Sequence, residues 1–317
     1  MHYDAKGNEL RFDHLTGHAL GRCAFMGYRA PAQTVPRPAF MESWSLQPSA
    51  ELDDGAREIR VDLGLRGFVT GLWMAPSGTL YAVDFDGRLY VQRPDGAARS
   101  WETQDWGRLV ELHGIAGLAE DCAFVWGRDA NQPRMWELFE GRFVNMTAPP
   151  SRLTCVAGAH AQCVYAAGPA GYLARWDGAE WHRIAIRSMR PATALHVVDE
   201  DEIWLTTDMG KLFEGSRHGW GLRAEMEVPL CGVRRWRGEL FVAAKDHGLW
   251  KLDGRSSRFA PVDLMLPAIG FAGDEDTLLV LTEDYLAVTH DGVEFEVVAR
   301  EALAQLRGYE PPLWSDE

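Results

Sequence analysis

Apolar residues along this chain come in short runs, and polar turn-formers separate them. The stretch GTLYAVDFDGRLYVQRPDG (78–96) shows the unit. Leu80–Val83 is one apolar run, Asp86-Gly87 breaks it, Leu89–Val91 is the next, and Asp95-Gly96 breaks it again. Asp-Gly supplies the positive φ angles that a tight hairpin needs. Runs this short, bounded by such turns and carrying β-formers, predict strands rather than helix.

The phrase returns at a near-constant interval. Equivalent apolar runs begin at Leu80, Cys122, Cys163, Ile203, Leu240 and Leu278, in steps of 42, 41, 40, 37 and 38 residues. Each is preceded by another apolar run, from VTGLWM to AIGFAG, and followed by a third, from RLYVQ to LAVT. A fourth closes the unit, as in EWHRIAI and EFEVVA. Four strands in a period of about 40 residues is the pattern of a β-propeller blade. A lone sheet of that size leaves its faces bare, and radial packing buries each face against a neighbour. LFEGRF (138–143), RWDGAEW (175–181), KLDGRSSRF (251–259) and THDGVEF (289–295) share an acidic residue, a Gly and a following aromatic. These read as the hairpins between third and fourth strands, so their acids are turn-formers rather than catalysts.

The start of the chain is less regular. GRCAFMGY (21–28), AFMESWSL (39–46) and AREIRVDL (56–63) read as three strands, with the Pro-rich RAPAQTVPRP between the first two. The strand they lack would come from near Glu9–Phe12 or from the C-terminal side, closing the ring. The expected organisation is an N-terminal arm over 1–20, a propeller over 21–298 and a C-terminal helix and tail over 299–317. Within the propeller, a degenerate first blade covers 21–66 and regular blades cover 67–298. REALAQLRG (300–308) is the predicted helix, stopped by Gly308 and Pro311-Pro312. The fold class is all-β, a β-propeller of four-stranded antiparallel blades, seven in number with six as the alternative.

In period and turn placement, residues 21–298 resemble the broad WD40/YVTN/BNR-like propeller group. The resemblance implies architecture and carries over no active site. Trp176-Asp177 stands alone at a hairpin instead of recurring, and SRHGW (216–220) lacks the central Asp of a sialidase Asp-box. A lactonase-type propeller would imply calcium held by Glu, Asn and Asp from the inner strands. This chain has only Asn8, Asn131 and Asn145, and inner runs such as LTCVAG offer few oxygen ligands.

Composition narrows the function classes. The 317 residues carry a net charge of −14, which disfavours nucleic acid as a partner and suits a basic protein. The opening MHYDAKGNELRFDHL has no apolar signal core, and no run of about 18 apolar residues predicts a membrane span. A cytoplasmic protein with reduced thiols is the expectation for Cys23, Cys122, Cys155, Cys163 and Cys231, with a Cys155–Cys163 bridge the minor alternative. His14 and His18 stand i, i+4, the spacing of two ligands on a helix, although Gly17 weakens a helix and no third ligand is evident. No G-x-S-x-G, HExxH or P-loop motif occurs. No catalytic residue, cofactor or metal is therefore expected.

Topology then singles out the acidic loops. In a blade, the connection between strands one and two leaves from the same edge as the turn between strands three and four. That edge gathers Glu120, Asp121, Asp199, Glu200, Asp201, Glu202, Asp274, Glu275 and Asp276. The hairpin acids Asp95, Glu140, Asp177, Asp253 and Asp291 join them. Solvated turns account for many of these. The sharper reading is an electrostatic docking face. The functional expectation is a non-enzymatic propeller that binds a protein. One specific form is an immunity protein neutralising a basic secreted bacterial toxin such as a nuclease. The alternative is a hydrolase, lactonase or sugar-binding propeller with an axial site.

Overall fold

A computed structural model gives the fold. It describes residues 69–94, 101–107, 109–254 and 256–297 in full. Before them it describes the backbone of the strands within 2–62, and the side chains of 13–18 and 23–25.

The first sheet holds β1 (His2–Tyr3), β2 (Asn8–Ala19), β3 (Arg22–Pro31), β4 (Met41–Pro48) and β5 (Arg57–Asp62), paired in that order. Six four-stranded antiparallel sheets follow, each paired in chain order. Blade 2 is β6 (Val69–Met74), β7 (Leu80–Asp84), β8 (Arg88–Gln92) and β9 (Glu102–Asp105). Blade 3 is β10 (Val110–Ala119), β11 (Cys122–Asp129), β12 (Gln132–Phe139) and β13 (Arg142–Met146). Blade 4 is β14 (Cys155–His160), β15 (Cys163–Ala167), β16 (Leu173–Trp176) and β17 (Trp181–Arg183). Blade 5 is β18 (Ala192–Val197), β19 (Ile203–Thr207), β20 (Lys211–Ser216) and β21 (Gly219–Glu225). Blade 6 is β22 (Gly232–Trp236), β23 (Glu239–Ala243), β24 (Leu249–Asp253) and β25 (Arg258–Asp263). Blade 7 is β26 (Ala268–Gly273), β27 (Leu278–Thr282), β28 (Leu286–Thr289) and β29 (Glu296–Val297).

The first strands of blades 2 to 7 pack in succession, β6 on β10, then β14, β18, β22 and β26. β2 packs on both β26 and β6, so the seven sheets form a closed circuit. The strand that completes the first sheet against its neighbours is thus β2, which includes Glu9–Phe12. His14 and His18 lie on this strand and not on a helix. The helix expected over 300–308 lies outside the described residues.

The core sits between blades. Successive side chains on a strand point to opposite faces, and both faces of β15 are covered. Cys163, Tyr165 and Ala167 pack with Ile203, Leu205 and Phe213 of blade 5. Val164 and Ala166 pack with Phe124, Trp126 and Met135 of blade 3. A strand buried on both sides needs no polar alternation, which is why these segments read as unbroken apolar runs. Each large side chain so buried contributes roughly 1.5–3 kcal/mol.

A polar tie recurs between inner strands. Thr70 Oγ1 donates to Leu112 O (2.7 Å), Thr154 Oγ1 to Ala192 O (2.8 Å), and Cys231 Sγ to Ala268 O (3.4 Å). Each reaches from one blade to the next at nearly the sequence period, so the repeat places both donor and acceptor.

Candidate functional site

The structure places all nine predicted acidic residues on connections between first and second strands, at one edge of the blades. Most of their carboxylates work within the protein. Asp199 Oδ1 accepts the backbone N–H of Asp201 (2.7 Å) and Glu202 (2.8 Å). Asp274 Oδ1 accepts those of Asp276 and Thr277, both at 2.9 Å. These side chains shape their own loops. Others link neighbouring blades. The Ser77 N–H and hydroxyl donate to Glu120 at 2.8 and 2.7 Å. His160 Nε2 lies 3.2 Å from Glu200. Glu202 meets Arg235 at 3.1 Å and accepts Trp204 Nε1–H at 2.9 Å. Arg237 donates to Asp276 at 3.2 Å and to the Glu275 carbonyl at 2.9 Å. Within blade 5, Arg217 grips Asp201 with two hydrogen bonds of 2.9 and 2.8 Å. Among the described residues, no hydrogen bond or ion pair engages the side chains of Asp121 and Glu275.

The arginines were the part of this edge that loop reading missed. Arg217, Arg235 and Arg237 each lie near a turn of their blade, and only the ring brings Arg235 and Arg237 against the acids of an adjacent blade. A cleft of about 650 Å³ lies between blades 6 and 7 here, lined by Arg234–Arg237 and Asp274–Asp276. Across it Arg237 pairs with Asp276, and Arg234 donates to the Gly273 carbonyl. Among the hairpin acids, Asp177 is held well below the usual carboxylate range. The causes are the Glu180 N–H, then His182, then the Ala179 N–H. Asp291 is lowered in the same way by the Val293 and Glu294 N–H groups. Both act as turn acceptors, as the spacing predicted. Asp95 lies outside the described residues.

The opposite edge differs in chemistry. It carries the connections between second and third strands and those from each blade to the next. Phe85, Leu109, Met189, Met209, Leu264 and Met265 all sit on these connections and are exposed, Met189 and Met265 at 78% and 86%. Sequence reading passed over them because lone apolar residues in loops form no periodic pattern. Lys245 reaches Glu283 across to blade 7 at 2.7 Å, so this edge is also braced between blades. The turn within RDANQP (128–133) is a hairpin with Ala130 and Asn131 at φ 47° and 72°.

Three of the thiols are held in their protonated form by burial. Burial pushes Cys155 to about 12 and both Cys122 and Cys231 to about 11. Cys155 and Cys163 are both reduced. His14 and His18 join no group of three potential ligands among the described residues. On the inner strands, burial and then the charge of Arg234 push His196 down to about 4. Arg234 itself donates to the Gly273 carbonyl at 2.6 Å. Both groups are therefore committed to cross-blade packing.

No family model matches the chain. No curated protein matches it either. Solved structures do. The WD40 β-propeller domain of Doa1 superposes with a TM-score of 0.66 at 14% identity, covering 89% of this chain and 93% of that one. Sqt1 of Saccharomyces cerevisiae gives 0.59 at 10%, covering 93% and 86%. YCF48, solved bound to D1 peptide, gives 0.58 at 11%, covering 76% and 83%. At such identities the likeness speaks for the fold, and it agrees with the ring of blades. The chain is a β-propeller of WD40-like architecture.

Proposed function

We propose that this protein is a non-enzymatic scaffold that docks another protein. The observation that carries the reading is the gathering of exposed Phe, Leu and Met side chains on one edge of the blades. Methionine is flexible and polarisable, and suits a contact surface that must fit a partner. Spread over several connections of one edge, these side chains offer a partner separate apolar anchors of the types enriched at protein interfaces. The opposite edge contributes field rather than contact, because most of its carboxylates are already engaged. With a net charge of −14, that field favours a basic partner by speeding encounter. Neutralisation of a basic secreted toxin, such as a nuclease with a phosphate-holding cleft, is the specific form that the charge supports.

The test is affinity capture with the tagged full chain, comparing the parent with M189E/M265E. The parent retains a protein at moderate salt and the double variant loses it while keeping its melting temperature. Capture of nothing by the parent, or equal capture by both, overturns the reading.

A further inference from the structure

At the acidic edge, blades 4 and 5 bring three different ligand types together. His160 ends β14 and Cys163 begins β15, and the two are paired across the tight turn Ala161-Gln162. Glu200 arrives from the loop between β18 and β19 of the next blade. The ligand atoms of His160, Cys163 and Glu200 all lie within 4.8 Å of one another. The imidazole is half exposed, the thiol is buried, and the carboxylate lies between.

We propose that His160, Cys163 and Glu200 form a binding site for a transition-metal dication of the Zn²⁺ type. A thiolate with an imidazole selects Zn²⁺ over Ca²⁺ or Mg²⁺, which demand all-oxygen shells. Three protein ligands leave a fourth position for water or a donor from outside, as in an open tetrahedral site. The sequence expectation of no metal rested on the lack of linear motifs, on the few oxygen ligands of the inner runs, and on histidines, among them His113, His160, His196, His247 and His290, that are scattered over blades. This set spans two blades and has no linear motif beyond His-x-x-Cys.

A second observation points to the same place. Tyr165 lies on the same face of β15 as Cys163, is fully buried, and its hydroxyl has no hydrogen-bond partner. A buried, unpaired phenol normally destabilises a fold by about 1–3 kcal/mol. Beside a metal site it has a role as a donor to the bound thiolate or to the water on the ion.

Binding has definite proton consequences. His160 Nδ1 accepts the Gln162 N–H at 3.3 Å, so the neutral ring carries its proton on Nε2, facing Glu200. The metal replaces that proton at Nε2, the ring takes the Nδ1–H tautomer, and the long contact to Gln162 is given up. Cys163 loses its thiol proton to solvent, so affinity rises with pH. Arg217 stands 3.5 Å from the other oxygen of Glu200 and remains its partner. The bound ion would fasten blade 4 to blade 5.

The experiment uses the purified full chain, stripped with chelator and titrated with Co²⁺. One equivalent is expected to bring in a near-ultraviolet thiolate-to-metal absorption, which Zn²⁺ then displaces. Cys163→Ala abolishes that absorption with an unchanged far-ultraviolet spectrum. Glu200→Gln, a change at the surface, keeps the fold and weakens binding at least about 10-fold. Absence of the absorption at excess Co²⁺, its persistence in C163A, or indifference to E200Q each overturns the proposal.

Discussion

Single residues in this protein are tuned both by neighbours from other blades, as at His196, and by their own hairpin, as at Asp177. His196 on β18 is kept neutral by burial and by Arg234 of blade 6, with its pKa lowered from 6.5 to about 4. A lowered histidine gives stability that is complete above its ordinary pKa. That stability is lost as pH falls through 6.5 towards 4, because the unfolded chain takes the proton first. The H196L variant is expected to lose less melting temperature than the parent between about pH 7 and pH 4.5, read by thermal scans. Asp177 behaves in the acid sense. Its pKa is depressed from 3.8 by backbone N–H donors and His182, so its contribution is present above that value and fades below it. The melting-temperature deficit of D177A is expected to narrow as pH drops below about 4.

At the scale of elements, the blades are held in register by ties between inner strands. Thr70 and Thr154 each donate to a carbonyl of the next blade. Replacing either by Val keeps the shape and leaves a carbonyl without that donor. T70V and T154V are each expected to cost about 1 kcal/mol in urea unfolding. They act at different blade interfaces, so the double variant is expected to be additive within about 0.5 kcal/mol. Gly171 serves the turn between β15 and β16. It sits at φ 66°, and a Cβ there would meet the Ser188 carbonyl oxygen at 1.8 Å. Both the backbone and the space forbid a side chain, so G171A is expected to cost more than about 1 kcal/mol. A denaturation midpoint equal to the parent's would remove this account of the turn.

Over the whole molecule, the two edges divide their tasks. Carboxylates concentrate at one edge, where turns and cross-blade arginines engage most of them. The other edge carries six exposed Phe, Leu and Met side chains on its connections, while Phe139, Val198 and Val293 are exposed at the acidic edge. Because no hydrogen bond or ion pair engages the side chains of Asp121 and Glu275 among the described residues, they can be reversed at little structural cost. D121K/E275K is expected to slow association with a basic partner several-fold at low salt while leaving the melting temperature unchanged. The effect should vanish at high salt, since screening removes steering over distance. An unchanged association rate at low salt would assign the charge to solubility alone.

What the sequence determined by itself is the strand and its repeat. Apolar runs, Asp-Gly turns and a period of about 40 residues are local signals, each set by backbone sterics and side-chain shape. They located the starts of β7, β11, β15, β19 and β27, and the strand of LFVAA within one residue of β23. They also placed the acidic loops on one edge, since connectivity alone fixes that. The tertiary structure decided which of those acids are engaged within the fold. Arg235 and Arg237 reach acids of the neighbouring blade, over separations of 33 and 39 residues, distances at which no local pattern operates. It also decided that β2 closes the circuit, and that His160 and Cys163 meet Glu200. Such meetings depend on how one sheet packs on the next, and a strand's own residues encode its faces but not its neighbour.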